Sequence, residues 1–103
     1  MLKFYVKWQM DTTKIPDNPE ERVKGWLAML EMTKAEIKSG KVKDWGIVAG
    51  GGSGYGIREE ANEAELFTAL MKWMPYVQFE VCPVLTVDQA MESIKKAIAA
   101  AKK

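Results

Sequence analysis

Two stretches of the sequence alternate apolar with polar residues, and the polar side chains on one side of each stretch could do acid–base chemistry. The stretches are Leu2–Met10 and residues 76–85, and each has the period of two that is typical of a half-buried β-strand. A carboxylate held beside an ammonium group and a phenol could serve as a general acid or base, while cations hold an anionic substrate or enolate. We therefore assign Glu80 as the candidate catalytic residue, and the candidate ligand-binding residues are Tyr5, Lys7, Gln9, Arg58, Gln78 and Cys82.

This charged set has several interpretations at the level of sequence. If the face that carries it is open to water, the charges form an ordinary solvated surface. If a second subunit closes over the face, the set becomes a structural network of ion pairs, the lining of a ligand cavity, or a catalytic site. A charged group buried there must be paired, and its pKa would be shifted in the way that many catalytic carboxylates show.

Composition excludes several classes of function. The 103 residues include no histidine and one cysteine, Cys82, so catalytic triads, histidine-ligated haem, histidine-containing zinc sites and an internal disulfide cannot be built. The net charge of +1 argues against a nucleic-acid partner. We find neither a signal peptide nor a membrane span, and we expect a cytoplasmic protein with no metal, no cofactor and no membrane partner.

Periodicity and capping residues predict four strands and three helices that would position the charged set. The predicted strands are Leu2–Met10, Val42–Ala49, a short strand around Tyr55–Arg58, and residues 76–85. The predicted helices run from an N-cap at Asn18 to a C-cap at Gly40, from an N-cap at Asn62 to Pro75, and over about residues 87–101. Pro83 cannot donate to a ladder and predicts that the last strand lies at a sheet edge.

The glycine cluster Gly50–Gly56 decides between two architectures. A phosphate-binding glycine motif joins a strand to a helix, whose N-terminus holds the phosphate. Here the residues that follow read as a strand, and the next helix starts only at Asn62. The context therefore favours a hairpin bend over a phosphate site.

This element order predicts an α+β fold, a ferredoxin-like β-α-β-β-α-β sandwich with an extra C-terminal helix, in one domain over residues 1–103. Both main helices would cover one face of a four-stranded antiparallel sheet. The other face would show the polar set, with Lys7 and Glu80 as cross-strand neighbours and Arg58 on the other side of Lys7.

With these residues placed, the chain resembles the dimeric α/β-barrel superfamily, and within it a small, largely uncharacterised family. The resemblance covers most of the chain, and the segments that carry it are Phe4–Trp8, Tyr55–Ile57, Ala64–Phe67 through Trp73, and Phe79–Leu85. It implies a homodimer whose two sheets face each other, in a superfamily that includes muconolactone isomerases, cofactor-free monooxygenases and haem-using enzymes. Those haem branches that need an axial histidine are excluded here.

Two functional hypotheses follow. Since 48% of the residues are hydrophobic, more apolar surface is present than a small monomer hides, which favours a noncatalytic homodimer that is structural or binds a small organic ligand between its sheets. The alternative is a cofactor-independent isomerase or monooxygenase acting on a small cyclic or aromatic acid. The tryptophans could line an aromatic pocket, although tryptophan at core periodicity is more often simply core, and they are Trp8, Trp26, Trp45 and Trp73.

Overall fold

Alternation of apolar and polar residues favours a strand at β1 (Leu2–Met10), and its pairing on both sides makes it an inner strand of the sheet. A computed structural model describes residues 1–102 of the chain. In it β1 pairs antiparallel with β3 (Ser53–Glu60) on one side and with β4 (Val77–Val84) on the other, and β2 (Val42–Ile47) completes the order β2-β3-β1-β4. The predicted ferredoxin-like α+β fold is confirmed, and β4, which contains Pro83, lies at an edge.

Side-chain caps fix where the helices begin. The Asn18 side chain accepts hydrogen bonds from the backbone at the start of α1 (Pro19–Ser39), and Gly40 ends this helix with a φ of 86°. Asn62 caps α2 (Glu63–Met71) in the same way. Thr86 and the residue three positions into α3 (Val87–Ala101) cap each other reciprocally. All three helices therefore begin where the sequence predicts.

The core lies between α1, α2 and one face of the sheet. Phe4 and Val6 project into it from β1 and are 1% and 2% exposed. The other buried members of the cluster are Leu66, Leu70, Trp73 and Val77. Because side chains alternate along a strand, the intervening residues of β1 lie on the opposite face, which no helix of residues 1–102 covers.

The glycine cluster forms the predicted hairpin between β2 and β3. Gly51 and Gly52 have φ angles of 84° and 85°, a conformation that residues with a side chain rarely adopt. Gly54 lies inside β3, where a Cβ would come 2.5 Å from the Trp8 ring and closer still to the Gly46 carbonyl oxygen. The cluster thus turns the chain and then provides a flat position on which an indole lies.

The helical stripes are buried less than their periodicity implies. On α1 the apolar residues Val23, Leu27, Leu30 and Ile37 are exposed, while the buried positions are Thr33 and Glu36. No residue of α3 is buried, and α3 packs against no other element in residues 1–102. The chain is accordingly elongated, 66 Å in one direction and 25 Å in the other two. No helix among these residues is long and apolar enough to cross a membrane.

Candidate functional site

The sheet register brings six of the seven predicted site residues together on the uncovered face. Tyr5 pairs with Cys82, and Lys7 pairs with Glu80. Gln9 and Gln78 complete the group one pair further along. We call the uncovered side of the sheet, on which these six residues lie, the open face. Lys7, Gln9, Gln78, Glu80 and Cys82 are exposed, and within residues 1–102 the side chains of Lys7 and Glu80 do not form an ion pair.

The predicted placement of Arg58 on the open face was wrong. Arg58 pairs with Phe4 across the β1–β3 ladder, and paired residues point to the same side of a sheet. It therefore lies under the helices, and Tyr55 occupies the position beside Lys7. The parity of β3 cannot be counted in the sequence through the glycine bend that precedes it, and the observed register places Arg58 on the helical side.

Arg58 is instead the centre of a buried ion network. Its guanidinium donates to both carboxylate oxygens of Glu36, at 3.1 Å to Oε1 and 2.6 Å to Oε2. It also contacts Glu60 at 3.5 Å. Two lysines close the network from the outside, with Lys72 3.1 Å from Glu36 and Lys41 3.3 Å from Glu60. The network joins α1 to β3 with a bidentate, charge-assisted pair.

The charges of the network hold each other ionised. Burial by itself would raise the pKa of Glu36, but the hydrogen bond from Arg58, the charge of Arg58 and the contact with Lys72 outweigh it and leave this pKa below its ordinary value. Burial would lower the pKa of Arg58, but Glu36 and Glu60 raise it instead. The pair is therefore locked in its charged form at neutral pH, which suits a structural role better than proton transfer.

An apolar cavity of about 330 Å³ lies between α1 and the helix-covered face of the sheet. All four tryptophans of the chain contribute to its lining, together with aliphatic, methionine and phenylalanine side chains. Arg58 and Glu36 form its polar end. The tryptophans thus combine the two interpretations that the sequence left open, because Trp73 belongs to the buried core cluster, Trp8 packs against that cluster, and all four line the cavity.

One wall of the cavity is a pair of stacked indoles. The rings of Trp8 and Trp45 have centroids 5.6 Å apart and planes 10° apart. Trp8 projects from β1 and lies over Gly54, where a side chain on β3 would leave it no room. The glycine inside β3 thus makes the flat wall possible.

Within residues 1–102, two buried N–H groups that belong to cavity-lining residues have no acceptor. They are Nε1 of Trp8 and Nε of Arg58. Leaving a buried donor unpaired costs about 1–3 kcal/mol. Both atoms are fully buried, so a ligand oxygen would reach them only by displacing the side chains around them.

The open face has a polar arrangement of its own beside β2. Tyr55 donates a hydrogen bond of 3.1 Å to Asp44, and this bond is the main reason that the pKa of Tyr55 is raised. The Tyr55 ring covers Gly46, where a Cβ would lie 2.5 Å from it. Across the 102 described residues, no group of acidic or cysteine side chains is placed to hold a metal ion.

Sequence reasoning missed Glu36 and Glu60, both of which are buried. Glu60 has the same strand parity as Arg58, so a correct register for β3 would have paired them. Glu36 follows Thr33 on α1, and a helical wheel centred on Met29 and Met32 would have placed both polar residues toward the sheet.

Comparison with known proteins gives a family but no activity. The family model described as "Domain of unknown function (DUF3303)" matches residues 2–98. A search of curated proteins finds no match to the chain. The geometry of the cavity and of the open face is therefore the basis for assigning a function.

Proposed function

This chain belongs to the DUF3303 family, and we propose that it is a homodimeric binding protein for a small, flat, mostly apolar molecule. The ligand occupies the cavity between α1 and the sheet. This differs from the space between two sheets that the sequence suggested, because the tryptophans and the cavity both lie on the helical side.

The single observation that carries the proposal is the cavity wall of four tryptophans. A volume of about 330 Å³ falls within the range of ~300–1,000 Å³ that is usual for small-molecule sites. Well-packed cores leave few voids larger than a water molecule, so an apolar space of this size supports a role in binding. Transfer of an apolar ring system from water is favourable by about 25 cal/mol per Å² of surface buried, and stacked indoles select a flat shape.

The polar groups of the cavity wall indicate which polar groups and what charge the ligand carries. Trp8 Nε1 and Arg58 Nε have no acceptor among the described residues, whereas both carboxylate oxygens of Glu36 are already bonded by Arg58 or Lys72. A ligand with one hydrogen-bond-accepting oxygen suits this arrangement. A multiply charged ligand does not, because most of the wall is apolar and burial of unpaired charge is costly.

Dimerisation through the open face is the second part of the proposal. None of the described residues covers this face, and at its centre Tyr5 is the cross-strand partner of Ile57 on one side and of Cys82 on the other. Large apolar side chains elsewhere are exposed as well, among them Phe67, Met71 and Ile94. The superfamily resemblance, with its facing sheets, supports the same arrangement.

A second candidate function is acid–base catalysis on the open face. The observation that favours it is the pairing of Lys7 with Glu80 beside Tyr5 and Cys82. Two facing sheets would enclose these groups, and Glu80 would then act as the general acid or base on a small cyclic or aromatic acid. This candidate needs a substrate between the sheets, not one under α1.

Isothermal titration with 2-naphthol, a flat molecule with one hydroxyl group, tests the binding proposal. Thr33 is buried and lines the cavity, so Thr33→Phe fills the space. Ala35 is exposed on the same helix, and Ala35→Phe is the matched control. We expect the native chain and Ala35→Phe to bind and Thr33→Phe to lose binding at least tenfold. Equal affinity of the three chains, or no binding by the native chain, would overturn the proposal.

A further inference from the structure

The cavity beneath α1 is a long channel that follows the strands. On the sheet its lining runs along β3 from Arg58 to the hairpin residue Gly52, a distance of about 20 Å along extended chain. On α1 its lining runs from Glu36 back to Trp26, which is about 15 Å of helix. A volume of about 330 Å³ spread over this length makes the channel narrow, so it suits a long, thin molecule better than a compact one.

One end of the channel is closed and the other is open. The lining residues at the end where the ion network lies are all buried, and they are Thr33, Glu36, Val42 and Arg58. The lining residues at the end where the glycine hairpin lies are exposed, and they include Thr12, Ile47, Gly51 and Gly52. A ligand therefore enters beside the hairpin, and its apolar part runs toward the ion network.

The charged groups at the closed end are already paired with one another. Both carboxylate oxygens of Glu36 are bonded by Arg58 or Lys72, and Arg58 Nε is fully buried. A charged head group placed at this end would lose its water without gaining a partner, which is costly. The polar group of a ligand therefore belongs at the open end.

A half-buried arginine lies at the open end. Arg22 is on the inward side of α1, because the lining residues Trp26, Met29 and Thr33 follow it at helical spacing. It precedes Glu36 by about 21 Å of helix, and this places it level with the hairpin. Arg22 forms no ion pair with any of residues 1–102. Its guanidinium can therefore bind a carboxylate through two parallel hydrogen bonds.

The acidic residues that precede Arg22 do not compete for the inward side of α1. They are Asp11, Asp17, Glu20 and Glu21. The Asp11 carboxylate already accepts hydrogen bonds from the backbone and the hydroxyl of Thr13, and Asp17 is exposed in the loop before α1. Glu20 and Glu21 are exposed and are rotated around the helix from Arg22 by about 200° and about 100°. Arg22 is thus the charged side chain that α1 presents to the open end.

We propose that the channel binds an elongated amphiphile with a single carboxylate, which pairs with Arg22 at the open end. The inference rests on the function proposed above and deepens it by naming the class and the orientation of the ligand. The stacked indoles of Trp8 and Trp45 contact a flat ring in the middle of the channel, and a chain attached to that ring reaches the closed end. The carboxylate stays in contact with water, so little charge is buried.

Three rod-shaped probes separate the effect of length from the effect of charge in isothermal titration. They are 4′-pentylbiphenyl-4-carboxylate, biphenyl-4-carboxylate, which lacks the chain, and 4′-pentylbiphenyl-4-ol, which lacks the charge. We expect the pentyl chain to tighten carboxylate binding at least tenfold, because it is buried in the apolar closed half of the channel. Thr33→Phe places a ring in that half and should reduce this gain to less than threefold. Ala35→Phe, on the exposed side of α1, should retain it.

Replacement of Arg22 tests the position of the carboxylate. Arg22→Met removes the cation, and Lys24→Met is the matched control because Lys24 is exposed and points away from the channel side of α1. We expect Arg22→Met to weaken binding of the pentyl carboxylate at least fivefold and to change binding of the pentyl alcohol less than twofold. Lys24→Met should change neither by more than twofold. Equal losses in the two variants, or an equal loss of both probes in Arg22→Met, would overturn the proposal.

The outcomes also separate this inference from the function on which it rests. If 2-naphthol binds but the pentyl chain gives no gain, or gives the same gain in Thr33→Phe as in the native chain, the cavity is a small-molecule site and the elongated ligand is refuted. If neither 2-naphthol nor any of the three probes binds, both proposals are refuted.

Discussion

Trp8 on β1 and Trp45 on β2 stack with ring centroids 5.6 Å apart although their strands are not neighbours in the sheet. The strand between them is β3, which carries Gly54 and Gly56 at the facing positions. The missing side chains on β3 allow the two indoles to approach above it. The glycine pattern, the stack and the cavity wall are thus one feature.

The close packing of Trp8 on Gly54 can be tested by adding one methyl group at Gly54. Gly54→Ala would place a Cβ against the Trp8 ring and the Gly46 carbonyl oxygen, and overpacking typically costs about 1–3 kcal/mol. We expect a loss of at least about 2 kcal/mol in urea unfolding. Gly50→Ala is the control, since a Cβ there meets nothing within 4 Å. Equal stabilities of the two variants would contradict the packing described.

We expect removal of a charge from the buried Arg58–Glu36 pair to destabilise the fold more than removal of a charge from an exposed pair. Arg58→Met leaves the Glu36 and Glu60 carboxylates without their central cation, and breaking such a pair costs about 3–5 kcal/mol. Lys43→Met removes the exposed pair with Glu59, which has a distance of 3.4 Å, and we expect less than about 1 kcal/mol. Chemical denaturation of both variants measures the difference. A similar small loss in both would mean that the network does not hold α1 to β3.

The lowered pKa of Glu36 predicts a stability that declines in acid. Its folded pKa lies below the unfolded reference of 4.5, so its stabilising contribution is complete above that reference. The contribution is lost as the pH falls through the folded pKa. We expect the stability difference between the native chain and Glu36→Gln to be largest at pH 7 and to shrink below pH of about 4. A difference that is constant with pH would show that Glu36 does not titrate as a paired carboxylate.

Glu80→Gln separates the two proposed sites. If the open face is catalytic or binds a ligand, this variant leaves the dimer intact in light scattering but changes ligand affinity or turnover. Binding of 2-naphthol under α1 should be unaffected, because Glu80 does not line that cavity. A change limited to the melting temperature would assign Glu80 a structural role and remove the catalytic candidate.

Much of the fold was predictable because short-range signals agree with the tertiary structure. Asn18, Gly40 and Asn62 mark helix ends through local hydrogen bonds or a left-handed backbone, which no distant contact needs to supply. Alternation on β1 and on residues 76–85 predicts two strands, and Pro83 predicts that the second of them lies at an edge of the sheet. The pairing of Lys7 with Glu80 then followed from topology.

The site under α1 was harder to predict from the sequence, because periodicity identifies an apolar stripe on a helix but not the surface against which that stripe packs. On α1 the stripe that includes Leu27 and Leu30 faces outward, while Glu36 faces the sheet. Strand parity could not be counted through the glycine bend, so Arg58 was assigned to the wrong face. A buried Arg–Glu pair and a cavity arise from the way the layers fit together, and neither leaves a local pattern in the sequence.

The most direct test of the central claim is the ¹⁵N–¹H spectrum of the four indole groups during a titration with 2-naphthol. All four tryptophans line one cavity, so we expect all four indole signals to shift together, with the Trp8 signal moving in the direction of a new hydrogen bond. Thr33→Phe should suppress these shifts. Unchanged indole signals, or shifts confined to tyrosines of the open face, would contradict a ligand site beneath α1.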